Sequence, residues 1–153
     1  MHHHGYLWTG PKSRFDQDAL RRPPHPEPPP PGSRPELIQR HREVSAAFPT
    51  SNLPPLETAY WLIKPRSLIR GTWDEARDAA EWLGERVAEY VPRSVRRAHW
   101  GTGHIASAVE RRLAAGGDVT LGVYLERPGY LSLALVGCSP HRGRPELPCP
   151  LTT

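Results

Sequence analysis

From Val119 onward the chain alternates. Val119, Leu121, Val123 and Leu125 are apolar, and Thr120, Gly122, Tyr124 and Glu126 fall between them. A period of two marks a strand with one buried face. Arg127-Pro128-Gly129 supplies a turn, and Tyr130 to Val136 returns with Leu131, Leu133 and Leu135 on one side, so the two runs predict an antiparallel hairpin. Upstream the period lengthens. Ala76, Ala80, Leu83, Val87 and Tyr90 share one helical face, which predicts a helix from about Trp73 to Tyr90. Thr72 and Glu75 fit a capping box at its start, Arg77 and Glu81 can pair across one turn, and Pro92 stops it. Ile105, Val109 and Leu113 mark a second helix that begins near Thr102 and ends at Gly116-Gly117.

Weaker signals add to this. Gly5 to Thr9 and Ala59 to Ile63 are aromatic enough to predict further strands. Glu36 to Ala47 predicts a short helix that turns Leu37, Val44 and Phe48 toward the core and stops at Pro49. The fold class is therefore α+β: two helices packed on a small antiparallel sheet, with a proline-rich N-terminal segment. Leu83, Val87, Ile105, Val109, Leu121, Val123, Leu133 and Leu135 are expected to be buried together, each on the apolar side of its own element.

Composition sets the boundaries. Proline supplies 19 of 153 residues: 13 lie in residues 1–65, Pro92 is alone in residues 66–127, and five lie in residues 128–153. The run Pro23 to Pro35 offers no apolar side chain to bury and reads as an extended spacer. The expected organisation is an aromatic N-terminal segment (1–22), a proline-rich linker (23–35), a compact domain (36–137) and a Cys/Pro tail (138–153). No apolar run approaches the ~18 residues of a membrane span. The first residues lack the apolar core of a secretory signal, and two cysteines make no disulfide framework, so a cytoplasmic protein is expected. The formal charge is +4, and since lysine occurs only at positions 12 and 64, arginine carries nearly all of the positive charge. Acidic residues interleave with it, a weak signal for nucleic acid.

Four groups of residues can carry chemistry. Cys138-Ser139-Pro140-His141 places two metal-ligand types close together, and Cys149 can return as a third. With one of His2, His3, His4, His99 or His104 the set becomes a tetrahedral zinc site. The alternatives are two ordinary thiols or one short disulfide. Three consecutive histidines are too few for a usual affinity tag. Tyr6 and Trp8, between Gly5 and Gly10, suit a partner surface or a strand packed on the sheet. His99 to His104 forms a turn before a helix, able to hold an anion or to act as a base, yet it matches no phosphate-loop or dinucleotide pattern. Arg96, Arg97 and Trp100 can grip phosphate and stack a base. Neither G-x-S-x-G nor H-E-x-x-H occurs, and no catalytic set stands out.

Short strings near both ends resemble a family of small uncharacterised actinobacterial proteins. They are His3-His4-Gly5-Tyr6-Leu7-Trp8 with Phe15-Asp16, then Trp82-Leu83, then Cys138-Ser139-Pro140-His141 and Pro148-Cys149-Pro150-Leu151. The resemblance implies no activity and brings no catalytic residue with it.

Three functions follow. The first is a small protein-interaction module, accessory, regulatory or immunity-type, whose partner is another protein contacted through Tyr6, Trp8, Trp100, Arg96 and Arg97. The second is a nucleic-acid-associated accessory protein using its arginines and Trp100. The third is a metal-binding protein or small enzyme, with zinc on Cys138, His141 and Cys149. Geometry favours a site built from both chain ends. The hairpin ends near Val136 at the root of the cysteine tail, and a strand through Tyr6 to Trp8 needs a free sheet edge to pair with. That edge brings His2 to His4 toward Cys138, His141 and Cys149.

Overall fold

The structure is a computed structural model that describes residues 1–95, 102–127 and 129–152. Its frame is a four-stranded antiparallel sheet in the order β2-β1-β4-β3, built from β1 (His2–Pro11), β2 (Ile69–Trp73), β3 (Val119–Tyr124) and β4 (Gly129–Cys138). The expected hairpin is β3–β4. The amino-terminal strand lies inside the sheet, paired with β4 from His2↔Cys138 through Pro11↔Gly129. Its far side is closed by β2, in the register His3↔Trp73 and His4↔Thr72.

Both faces of the sheet are covered, which is why β4 is buried along most of its length. On one face Leu131, Leu133 and Leu135 meet α4 (Ala76–Tyr90) and α5 (Thr102–Ala114), joining Leu83, Val87, Val109 and Val123 in the main core, with Ile105 and Leu121 packed at its margin. Six of the eight residues expected in the core are buried in it, and Ile105 and Leu121 are half-buried against it. The expected pair of helices on a small antiparallel sheet is the observed architecture. On the opposite face Ser132, Ala134 and Val136 present small side chains, so the 48–68 connection and the carboxyl-terminal tail approach closely. Tyr6, Trp61, Leu62, Val136, Cys138 and Cys149 form a second core there, with Tyr6 and Trp61 stacked at 4.6 Å.

Three local expectations are corrected. Thr58–Ile63 is a 3-10 helix rather than a strand, since Pro54, Pro55 and Pro65 flank it and its aromatics pack without a ladder partner. The helix α3 (Pro35–Ala47), which follows two single-turn helices, α1 (Lys12–Phe15) and α2 (Asp18–Arg21), buries none of its residues. Leu37 is 53% exposed, and only Phe48, just past the helix end, reaches the core. Lys64 lies beneath that end: it is buried, donates to the Phe48 carbonyl at 2.6 Å and sits 3.9 Å above the Phe48 ring. Finally, α4 begins at Ala76, and Thr72 belongs to β2, its hydroxyl bonded to His4 rather than to a helix amide. Residues 23–34 hold neither helix nor strand. Among the described residues, no helix is long and apolar enough to cross a membrane.

Candidate metal centre

Alternation along β1 puts His2, His4, Tyr6 and Trp8 on one face of the sheet. The pairing register sets His2 directly across from Cys138, and His4 across from Val136 on the same face. Cys149 must come back from the tail, and three contacts hold the tail in place. Just before the start of β3, Asp118 accepts the Gly137 amide with one carboxylate oxygen and meets the His141 ring nitrogen Nε2 at 2.6 Å with the other. His141 Nδ1 accepts the amides of Gly143 and Arg144 at 3.2 and 3.0 Å. The Arg144 guanidinium then makes a two-pronged pair with Glu57, at 2.7 and 2.9 Å.

The result is a knot of four donors. His2 Nε2 lies 3.2 Å from the sulfur of Cys138 and 3.2 Å from that of Cys149. His4 Nε2 lies 3.3 and 3.7 Å from the same two sulfurs. All four atoms fall within 4.8 Å of one another. Zinc bonds of about 2.3 Å to sulfur and about 2.05 Å to nitrogen, at tetrahedral angles, give N···S edges of about 3.6 Å. The observed contacts bracket that value. Two thiol protons serve at most two of the four N···S contacts, whereas one central cation serves all four. Both cysteines are free and buried. His2, His4, Cys138 and Cys149 lie close together and can hold a metal ion.

The surroundings fit such an ion. His4 and Cys138 are fully enclosed and Cys149 is 6% exposed, so three of the four donors are shut off from bulk water, and His2 is half-buried. Burial pushes the Cys138 thiol up to about 12, and the neighbouring Cys149 adds to the rise. Burial pulls the His4 imidazole down to about 4, and His2 and His3 push the same way. Without a metal, His4 and Cys138 are therefore both uncharged at neutral pH. A dication with two thiolates is neutral as well, which lets the bound state remain buried without a counter-ion. Thr72 Oγ1 stands 2.8 Å from His4 Nδ1. With Nδ1 donating its proton to that hydroxyl, Nε2 turns its lone pair to the sulfurs, the outer contact that metal-ligating histidines usually carry. Tyr6 lies two residues further along the same face, and its hydroxyl is buried with no hydrogen-bond partner among the described residues.

Two of the three expected ligands, Cys138 and Cys149, meet as proposed. His141 does not join them, because Asp118 and two backbone amides occupy both of its ring nitrogens. The remaining places go to His2 and His4. His3 points to the opposite face, and His104 is exposed on α5. Tyr6, 1% exposed, and Trp8, also buried, are core residues and offer a partner no free surface. Arg96, Arg97, His99 and Trp100 lie outside the described residues. Thr72 went unforeseen as a ligand support, because only the strand register shows that it faces His4. No protein-family model, curated protein or solved structure matches the chain.

Proposed function

We propose that this is a metal-binding protein whose His2-His4-Cys138-Cys149 centre takes one zinc ion in a structural role. The observation that carries the reading is the contact of each imidazole with both sulfurs at tetrahedral-edge distances. Two sulfurs and two nitrogens in a tetrahedron suit zinc and exclude the hard, oxygen-seeking cations. A two-iron cluster of the same composition places its histidines and cysteines on different irons and so holds them apart. The four donors leave no open position for water or substrate, so the role is structural rather than catalytic. Zinc here ties the first strand of the chain to its last fifteen residues, and the energy of binding becomes energy of folding. Among its described residues the tail has no strand or helix beyond Cys138, and it depends on that tie and on the His141 and Arg144 contacts.

Cobalt(II) substitution tests the reading. Intense visible bands of a tetrahedral ion, with sulfur-to-cobalt charge transfer that weakens in Cys138→Ser and in Cys149→Ser, support it. A pale six-coordinate spectrum, or one unchanged by both substitutions, overturns it.

A further inference from the structure

The same sheet face carries a second constellation at its other end, roughly 30 Å from His2 along β1. There Phe15 of α1, Tyr124 at the end of β3 and Tyr130 at the start of β4 converge. Phe15 and Tyr130 have centroids 4.4 Å apart at 42°, and Tyr124 meets Tyr130 edge-on at 5.2 Å and 78°. Rings at such angles enclose a corner rather than forming a stack. Lys12 places its ammonium in that corner, 5.3 Å from the Phe15 centroid, 5.5 Å from Tyr124 and 5.2 Å from Tyr130, and pairs with the Asp16 carboxylate.

The backbone is shaped for these rings. A Cβ at Gly122 would collide with the Tyr130 hydroxyl, so Tyr130 lies across β3 where residue 122 has no side chain. A Cβ at Gly10 would likewise strike the ring of Trp8, which backs Phe15 at 5.9 Å. Beside Lys12 and Tyr124 the corner opens into a cavity of about 410 Å³ that Val95 and Leu125 make largely apolar. Tyr124 is 58% exposed and forms the outer wall of the corner.

The spacing leaves room for a bulkier cation. A bare ammonium touching a ring face sits at about 3.5 Å from it. A methyl carbon sits at about 3.5–4.0 Å, and its bond to nitrogen adds about 1.5 Å. The nitrogen of a methylated ammonium therefore rests about 5.0–5.5 Å from each ring, and the three observed distances fall in that range. A lysine ammonium, whose ring contacts extend to about 6 Å from a centroid, and a methylated ammonium both fit these centroid distances. A primary ammonium also keeps its water strongly, whereas a quaternary one has little hydration to lose and gains from ring faces. An exposed cation–π contact and a surface ion pair hold Lys12 only weakly. We propose that Phe15, Tyr124 and Tyr130, with Asp16 as counter-charge, form a binding site for a quaternary ammonium group, and that Lys12 is its displaceable built-in occupant.

The test titrates the full-length protein with tetramethylammonium, choline and Nε-trimethyl-lysine, following aromatic NMR shifts. The neutral isostere 3,3-dimethylbutan-1-ol is the control. Saturable shifts of Tyr124 and Tyr130 are expected with the cations and not with the alcohol. Lys12→Ala should tighten binding about tenfold if the lysine fills the corner nine-tenths of the time. Tyr124→Ala removes an exposed wall, leaves the core intact and should abolish saturation in either background. A stronger response to choline or to trimethyl-lysine distinguishes a small-molecule from a side-chain source of the same group. No saturation in Lys12→Ala, an equal response to the alcohol, or binding unaffected by Tyr124→Ala overturns the proposal.

Discussion

Lys64 offers a quantitative check on the packing that bounds the metal centre. It lies in the 48–68 connection, the segment that lays Trp61 on Tyr6. Among the described residues no carboxylate pairs with it, and burial pulls its ammonium from 10.5 down to about 8. At about 1.4 kcal/mol per pH unit, a drop of that size corresponds to about 3 kcal/mol held against the folded state at neutral pH. The sign follows from proton counting. Between pH 8 and 10.5 the unfolded chain holds a proton that the folded chain has released, so stability rises with pH across that window. Below pH 8 both states are protonated and the penalty is present in full. Lys64→Met removes the charge but leaves the Phe48 carbonyl without its donor, a loss of about 1–3 kcal/mol. The variant should therefore be of similar or slightly greater stability at pH 7. By pH 10 the native protein should have gained about 2.5 kcal/mol on the variant. Guanidinium unfolding of both proteins at pH 7, 8, 9 and 10 measures the difference, and other titrating groups cancel in it. Parallel stability curves, or a gap that moves in favour of the variant with rising pH, would refute the reasoning.

Leu83→Ala, at the centre of the helix-facing core, should cost about 2–5 kcal/mol in the same denaturation assay. Thr72→Val keeps all four donors yet frees the His4 ring, and should weaken zinc binding about tenfold or more in a competition titration with a chromophoric chelator. His141→Ala should also weaken zinc, through release of the tail rather than loss of a ligand, so the cobalt spectrum of the loaded variant should keep the shape of the parent's.

The parts of this fold that are legible in the sequence are those whose partners are local. The β3–β4 hairpin follows from alternation across one turn, and α4 and α5 follow from their own apolar stripes. Six buried core residues, and Ile105 and Leu121 at the margin, emerge because each element's buried face is set by its own period. β2 escapes notice because Arg70, Gly71 and Thr72 interrupt its apolar positions, and its order derives from pairing with a strand more than sixty residues away. Thr72 beside Glu75 carries a credible helix-cap signature, and long-range pairing with β1 prevails over it. At the site, Cys138 and Cys149 are recognisable by residue type. The spacing of Cys138 and His141 resembles a ligand pair, but a competing carboxylate at Asp118 takes the imidazole. His2 and His4 gain their role from register alone: a shift of one residue in the β1–β4 pairing would turn both to the other face. Both precede the strand predicted over Gly5 to Thr9, and only its extension back to His2 reveals their alternation.

Metal content of the untagged full-length protein tests the central claim most directly. Elemental analysis after purification without chelators or added metal should find one zinc per chain, and removing it should lower the thermal midpoint in a way that zinc restores. Cys138→Ser should purify without zinc and gain nothing from its addition. A parent protein that is metal-free as isolated, and whose midpoint does not change with either zinc or chelator, would contradict the account.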